Sequence, residues 1–261
     1  GFSVYNTGTA VLNFGQSSFS HTAPTGFKKI NTSNISTPTV EDPRKFFAPV
    51  LYTGTGATRN VRGCYDSTGT AWTPDFVWLK RRSTTGTHKL YDSLRGAGNE
   101  INPDSTNGQS TYTAGMSAFV DGGITVGAGT TGYNESGSTF VLWCLKAGGV
   151  PTATNTAGQT PTSNSKFKSG AADNTAYASA GIYPLKASIA SHGGFSIIQY
   201  TGTGSAATIP HGLDSAPSCI IIKETNSSSY GWQVYFEGVG NTGSLSLDAS
   251  DAVSTDTSYW N

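Results

Sequence analysis

Five acidic side chains are the first candidates for chemistry: Asp92, Glu100, Asp104, Glu135 and Glu237. Glycoside cleavage needs two carboxylates roughly 5 to 10 Å apart, one to protonate the leaving oxygen and one to act as nucleophile or base. None of the five stands in an alternating acidic strand pattern of the E-x-D-x-x-E kind. Each lies in turn-rich, polar sequence, where a solvated carboxylate is the default. His21, His88, His192 and His211 are isolated, with no HExxH and no Ser-His-Asp order that carries meaning before geometry. Cys64, Cys144 and Cys219 are odd in number and far apart, without CxxC spacing or a histidine at metal-ligand distance, so neither a metal centre nor a disulfide framework is expected. Cys144 and Cys219 sit in apolar runs and read as small core hydrophobes. Gly54-Thr55-Gly56 and Gly202-Thr203-Gly204 superficially suggest phosphate loops, but no Gly-Lys-Ser/Thr and no helical pattern follows either. Turn formation accounts for them, since glycine adopts backbone angles that other residues resist. No catalytic residue, metal or cofactor is assigned.

Aromatic residues in polar loops are the remaining candidates. Trp72, Tyr112, Tyr133, Tyr230 and Trp232 are set among Gly, Ser, Thr and Asn. An aromatic ring with one wet end suits both sugar stacking and a subunit contact, and both readings stay open.

The elements that position these residues are written twice. Tyr52-Thr53-Gly54-Thr55-Gly56 returns as Tyr200-Thr201-Gly202-Thr203-Gly204, each time after an apolar run. The first marker leads to Pro74, Phe76-Val77-Trp78-Leu79-Lys80 and Tyr91-Asp92-Ser93-Leu94-Arg95-Gly96. The second leads to Pro217, Cys219-Ile220-Ile221-Ile222-Lys223 and Tyr235-Phe236-Glu237-Gly238-Val239-Gly240. Tyr52 and Tyr200 stand 148 residues apart, Pro74 and Pro217 143, Lys80 and Lys223 143, and Tyr91 and Tyr235 144. Such constancy indicates an internal duplication. The first copy continues through Ile124-Thr125-Val126-Gly127, Tyr133-Asn134-Glu135-Ser136-Gly137 and Phe140-Val141-Leu142-Trp143-Cys144-Leu145-Lys146, whereas the second ends at Tyr259-Trp260-Asn261. A half-unit cannot cover its own apolar face, so the natural polypeptide is expected to run past Asn261. The opening on Gly1, without a basic leader and apolar signal region, suggests a processed product or a portion of a longer chain.

Composition narrows the class. Charged residues make up 12%, about half the usual ~25%, and Gly numbers 33 of 261 against the ordinary ~7%. Lys and Arg total 16 against 16 Asp and Glu, so no electrostatic attraction to nucleic acid or an anionic membrane surface is expected. The 12 Tyr, 12 Phe and 5 Trp argue against disorder, and no apolar run approaches the ~20 residues that a membrane-spanning helix needs. Apolar runs of four to seven residues recur between Gly, Ser, Thr and Asn clusters, without the i, i+3, i+4, i+7 spacing of a helix. The pattern predicts an all-β chain of antiparallel sandwich or jelly-roll units. Continuous runs such as Phe76-Val77-Trp78-Leu79 and Ile220-Ile221-Ile222 predict strands covered on both faces. Pro49 places the strand Phe46–Tyr52 at an edge or bulge, and Pro24-Thr25-Gly26 predicts a turn. The expected organisation is 1–45 as a strand-like run, Ala10 to Gln16, followed by a connector; 46–149 as the first sandwich repeat; 150–193 as a Gly/Ser/Thr-rich linker or surface excursion; and 194–261 as a second repeat, incomplete at its C-terminal end.

The series YTGTG, PDFVWLK, YDSLRG, GITVG, GYNESGSTFVLW and KAGG resembles a virion-protein module of tailed bacteriophages of marine bacteria and cyanobacteria. In that family such units follow a SPRY-like or concanavalin A-like sandwich within long tail-fibre or other virion-surface proteins, and residues 1–35 look like the end of a SPRY-like domain. The resemblance covers most of the chain apart from 150–190 and is best in the first copy; YFEGVG departs from YDSLRG in the second. It implies a structural and adhesive virion component, a tail fibre or spike that attaches to a host-surface glycan. Multivalent binding across a homotrimer would then supply the affinity, with other virion proteins as partners. A capsid-decorating or head-fibre protein is the alternative within the same class. A glycan depolymerase is the enzymatic one, since concanavalin A-like folds include glucanases. The family offers no catalytic residues to carry over.

Overall fold

The computed structural model describes residues 40–129, 131–159, 166–168, 171–172 and 181–260, together with positions 13, 18, 20–22, 24–27 and 38. The chain divides into a unit over 1–41 and a larger one over 42–261. In the first, Phe27 donates its N–H to the Pro24 carbonyl at 3.0 Å and Gly26 has φ +87°. This is the predicted turn, with glycine at the position that needs the left-handed region. The strand-like run from Ala10 to Gln16 lies outside the described residues except for Asn13, and so does most of the connector.

The second unit opens with a 3-10 turn at Pro43–Lys45, capped by Asp42, whose carboxylate accepts from the Arg44 and Ser67 N–H groups. The first copy follows as β1 (Phe47–Thr53), β2 (Arg59–Arg62), β3 (Phe76–Arg81), β4 (Lys89–Asp92), β5 (Asn99–Glu100), β6 (Ser110–Thr111), β7 (Met116–Val120), β8 (Gly123–Val126) and β9 (Thr139–Leu145). One antiparallel sheet has the order β1-β9-β3-β4, a second β2-β8-β7, and β5-β6 form a small hairpin. Val50, Tyr52, Val77, Leu79, Tyr91, Phe140 and Leu142 from the first sheet meet Val61, Met116, Ile124 and Val126 from the other in one core. Two sheets sharing one interior make a sandwich. Cys64 and Cys144 are buried within it as free thiols, while Cys219 is exposed, against the expectation that it too lies in the core.

Proline explains why β1 is an edge. Lys146 donates to the Phe46 carbonyl and Gly54 to the Ser138 carbonyl, so the even-numbered residues of β1 carry the hydrogen bonds to β9. The nitrogen of Pro49, which has no hydrogen to give, faces the open side.

Beyond β9 come β10 (Lys166–Lys168), β11 (Ala171–Ala172), β12 (Lys186–Ile189) and β13 (Ser196–Gln199) in a sheet of order β11-β10-β12-β13, with β10 and β12 parallel. The stretch 150–193, read from sequence as a linker or surface excursion, therefore contains strand. Its β12 is deeply buried at Ala187, Ser188 and Ile189, and Ser188 ties it to the first copy by accepting from Gly148 and donating to the Gly149 carbonyl. Its small residues serve close packing, which composition alone does not distinguish from solvation.

Last come β14 (Cys219–Ile222), β15 (Gln233–Phe236), β16 (Gly243–Ser246) and β17 (Ser254–Thr255), in that order in one antiparallel sheet. Their register repeats that of the first copy. Phe76 opposes Asp92 and Leu79 opposes Lys89, as Cys219 opposes Phe236 and Ile222 opposes Gln233. Leu90 bridges Ile101 as Val234 pairs with Leu245, and Asn99 pairs with Thr111 as Gly243 pairs with Thr255. Even the closing turn matches: Ser93 donates to the Asp75 carbonyl and Glu237 to the Ser218 carbonyl, both at 2.8 Å. Among the described residues there is no α-helix.

The two continuous apolar runs fare differently. In β3, Val77 and Leu79 enter the sandwich core, while Phe76 and Trp78 on the other face pack in a second cluster with Leu90, Ile101, Leu247 and the buried Trp232 of the second copy. Coverage on both faces is thus supplied by the neighbouring copy. In β14 the expectation fails: Cys219 and Ile221 are exposed, Ile221 to 47%.

Candidate functional site

Glu100 is, with Asp92, one of the two buried acids of the five. It is 7% exposed, and its carboxylate takes an ion pair from Lys89 Nζ at 3.2 Å, a hydrogen bond from Tyr91 OH at 2.8 Å and another from Tyr133 OH. Lys89 Nζ also lies 4.7 Å from the centre of the Tyr133 ring. The cluster assembles because β4 and β5 meet at the Leu90–Ile101 bridge, while the Tyr133 loop folds over them. Burial, and then the Glu100 charge, push the Tyr91 phenol far above its usual range, so it stays a hydrogen-bond donor. A buried carboxylate with three donors already in place holds the fold together.

The other acids are likewise engaged or at the surface. Asp92 is buried and accepts from the Leu94 and Arg95 N–H groups and from Arg95 Nε at 2.5 Å, closing the turn that follows β4. Glu135 pairs with Arg81 at 2.6 Å. Asp104 is exposed and accepts the His88 N–H at 3.0 Å. Glu237 is exposed on the turn after β15. The polar residue that sequence reasoning missed is Asp75, 2% exposed, which accepts from Ser93 Oγ and the Ala147 and Gly149 N–H groups and pairs with Lys146 at 3.3 Å. Its signal was there to see, a charged residue abutting the apolar run Phe76–Leu79.

The histidines do not converge. His21 is exposed in the first unit. His88 Nδ1 accepts the Trp78 indole N–H at 2.8 Å, His192 Nδ1 the Gly194 N–H and His211 Nδ1 the Leu213 N–H, the last two at 3.0 Å. Burial, then nearby Lys80, holds His88 below the ordinary histidine range, with Asp104 opposing. No group of three metal-ligating side chains occurs among the described residues.

The loop aromatics separate into two kinds. Tyr133 and Trp232 are interior, 2% and 5% exposed, and their ring faces are occupied by neighbours. Trp72 is half-buried against the sandwich core and donates its indole N–H to the Arg44 carbonyl at 2.8 Å. Tyr112 and Tyr230 remain at the surface, 42% and 66% exposed. The Tyr112 ring lies 5.6 Å from that of Tyr133, which fixes it over the Glu100 cluster. Short polar flanks marked all five as loop residues, but only the packing of strands decides which loops fold inward.

The first marker pentapeptide is a docking seat. Thr55 N–H and the carbonyls of Ala57 and Gly127 all bond the side chain of Asn134, which is fully buried. Gly54 exchanges hydrogen bonds with Ser138 and Gly137, and a Cβ on it would overlap the Glu135 carbonyl. Among the described residues no helix follows either marker.

This arrangement defines a class, an all-β protein whose strand scaffold occurs twice with different polar residues mounted on it. The chain belongs to the family described as a domain of unknown function, DUF7483, whose model matches residues 42–182 and again 164–261. No curated protein and no solved structure matches the chain.

Proposed function

We propose that this protein is a structural and adhesive component of a bacteriophage virion, a tail fibre or spike that presents loops of tandem β units to a host-surface glycan. The observation that carries the reading is the retention of register without retention of chemistry. Strands β3 to β6 and β14 to β17 pair residue for residue, yet Lys89, Asp92 and Glu100 give way to Gln233, Phe236 and Ser244. Selection on a scaffold leaves that pattern, whereas a catalytic site would hold its acids. A surface low in charge, with exposed Tyr112 and Tyr230 in polar loops, suits weak sugar stacking multiplied across copies and across a homotrimer.

Immunogold labelling of purified virions with antibody to residues 42–261 tests the location. Gold on tail fibres is the expected result; gold on the head transfers the protein to capsid decoration, and no gold on particles overturns the proposal. Glycan-array binding by the native protein, weakened by Tyr112→Ala or Tyr230→Ala, tests the adhesive role. Release of reducing sugar from host polysaccharide would make it an enzyme instead.

A further inference from the structure

Sequence spacing argued against a disulfide framework, yet the fold brings two of the three cysteines together. Cys144 lies on β9, opposite Ala48 of β1 and Val77 of β3, and like Phe140 and Leu142 it enters the sandwich core. Cys64 comes from the other sheet, two residues past the end of β2, and belongs to the same core. Both residues are fully buried, and the two thiols share a hydrogen bond. Cys219 takes no part, being exposed on β14.

Facing sheets stand about 10 Å apart, whereas a disulfide needs Cα atoms about 5.5 Å apart. A bridge between sheets is therefore possible only where one backbone dips toward the other, and residue 63 marks such a place. A Cβ on Gly63 would lie 2.6 and 2.8 Å from the two methyl carbons of Val50 on β1, so glycine lets this backbone settle onto the first sheet. The dip is held from its own side. Gly63 and Cys64 both donate to the Gly122 carbonyl, at 2.9 and 3.0 Å, and Trp72 donates to the Cys64 carbonyl at 3.0 Å. Of the inward residues of β1, Ala48, Val50 and Tyr52, the smallest is the one beside Cys144.

We propose that Cys64 and Cys144 close into an inter-sheet disulfide when the chain folds in an oxidising medium, a covalent staple between the two sheets of the first copy. Each thiol gives up its hydrogen and one S–S bond forms. The two electrons and two protons pass to a small disulfide such as oxidised glutathione, whose own S–S bond breaks to give two thiols. Thiolate is the attacking species. The mutual hydrogen bond, then burial, pushes the Cys144 thiol up, so exchange belongs to the open chain, and the closed core then shields the product. The bridge spans 80 positions (144 − 64), and a cross-link over a long loop stabilises by restricting the unfolded chain. In a reducing medium the same residues stay a pair of core thiols. The inference stands independently of the virion assignment.

The test uses the 261-residue chain, reduced and unfolded in urea, then refolded in a mixture of reduced and oxidised glutathione, with refolding under dithiothreitol as reference. After an acid quench, peptide mapping is expected to find Cys64 joined to Cys144 and Cys219 outside the bridge. A Cys219→Ser variant should form the same bridge, with an intact mass lower by two hydrogen atoms. The bridged protein should keep the amide-exchange pattern of the reduced one in β1, β3 and β9, and its unfolding constant should fall by roughly a hundredfold. Cys144→Ala, which leaves a small apolar residue in the core, should show no such gain in the oxidising buffer. The same exchange on folded protein in sub-denaturing urea reads the bridge without complete refolding. Native protein recovered with both thiols free, a bridge through Cys219, or a Cys64–Cys144 bridge that loosens the core or lowers stability each overturns the inference. An equal gain in Cys144→Ala also overturns it, and the two thiols would then serve as packing alone.

Discussion

Glu100 and Ser244 hold the same place in the two copies: Glu100 pairs with Ser110 and Ser244 with Ser254, and each side chain reaches the residue at the matching place on the preceding strand. For Glu100 that residue is Lys89, at 3.2 Å; for Ser244 it is Gln233, with Ser244 Oγ 2.8 Å from Gln233 Oε1. An ion pair in one copy is a neutral hydrogen bond in the other. The exchange is physically reasonable, since only in the first copy do Tyr91 and Tyr133 also converge on the carboxylate.

Removing the two members should therefore cost different amounts. Glu100→Ala leaves a buried ammonium and two phenols without their acceptor, and about 3–5 kcal/mol of stability is expected to be lost. Ser244→Ala should cost about 1 kcal/mol, the ordinary net worth of a neutral hydrogen bond. Urea denaturation of both variants checks the difference, and equal losses would contradict the structure.

Trp232 joins the copies. Its ring packs on Leu90 and Ile101, and its indole N–H lies 2.9 Å from the Asn102 carbonyl and 3.2 Å from that of Ser105. Trp232→Ala should cost about 3–5 kcal/mol, the range for truncating a large buried aromatic. Amide exchange should show the loosening concentrated in β14 to β16, with the sandwich core of β1, β3 and β9 still slow. Uniform acceleration through that core would argue against Trp232 as the junction.

Acid should weaken the protein through His88. Its Nδ1 must be unprotonated to accept the Trp78 indole N–H, and its folded pKa lies below the unfolded value. The unfolded chain thus binds the extra proton first. Stability is full above the unfolded histidine value of about 6.5 and declines as pH falls through it toward the folded value. A pH series of urea midpoints from 8 to 5 should lose part of its slope in His88→Phe, and the unaltered slope would assign the effect elsewhere.

Thiol chemistry should single out Cys219. Cys64 and Cys144 are fully buried, and their mutual hydrogen bond, then burial, pushes the Cys144 thiol up. Cys219 is exposed on the β14 edge, although partial burial raises it too. Native protein treated with a water-soluble maleimide should label at Cys219 first, faster as pH rises, and the other two only after denaturation. Peptide mapping reads the site, and early labelling at Cys64 would refute the burial.

Much of the scaffold was legible in the letters. The short apolar runs between Gly, Ser and Thr clusters specified strands, Pro49 specified an edge, and the near-constant spacing of 143 to 148 anticipated a second copy in the same register. The candidate site was far less legible. Tyr133 and Trp232 have the same polar flanks as Tyr112 and Tyr230, and nothing in those flanks records that a loop 40 residues from β4 folds down to reach Glu100, or that the second copy leans on the first. Asp75 escaped notice for the same reason, since its partners Ser93, Ala147 and Gly149 lie 18, 72 and 74 positions along the chain.

Local pattern was enough to determine strand, turn and duplication here, because those follow from side-chain alternation and backbone preference over a few residues. Which carboxylates are tied down, which rings are dry and which sheet edges stand open depended on contacts between residues tens to more than a hundred positions apart. Such contacts have no local signature. They form only when sheets close on one another.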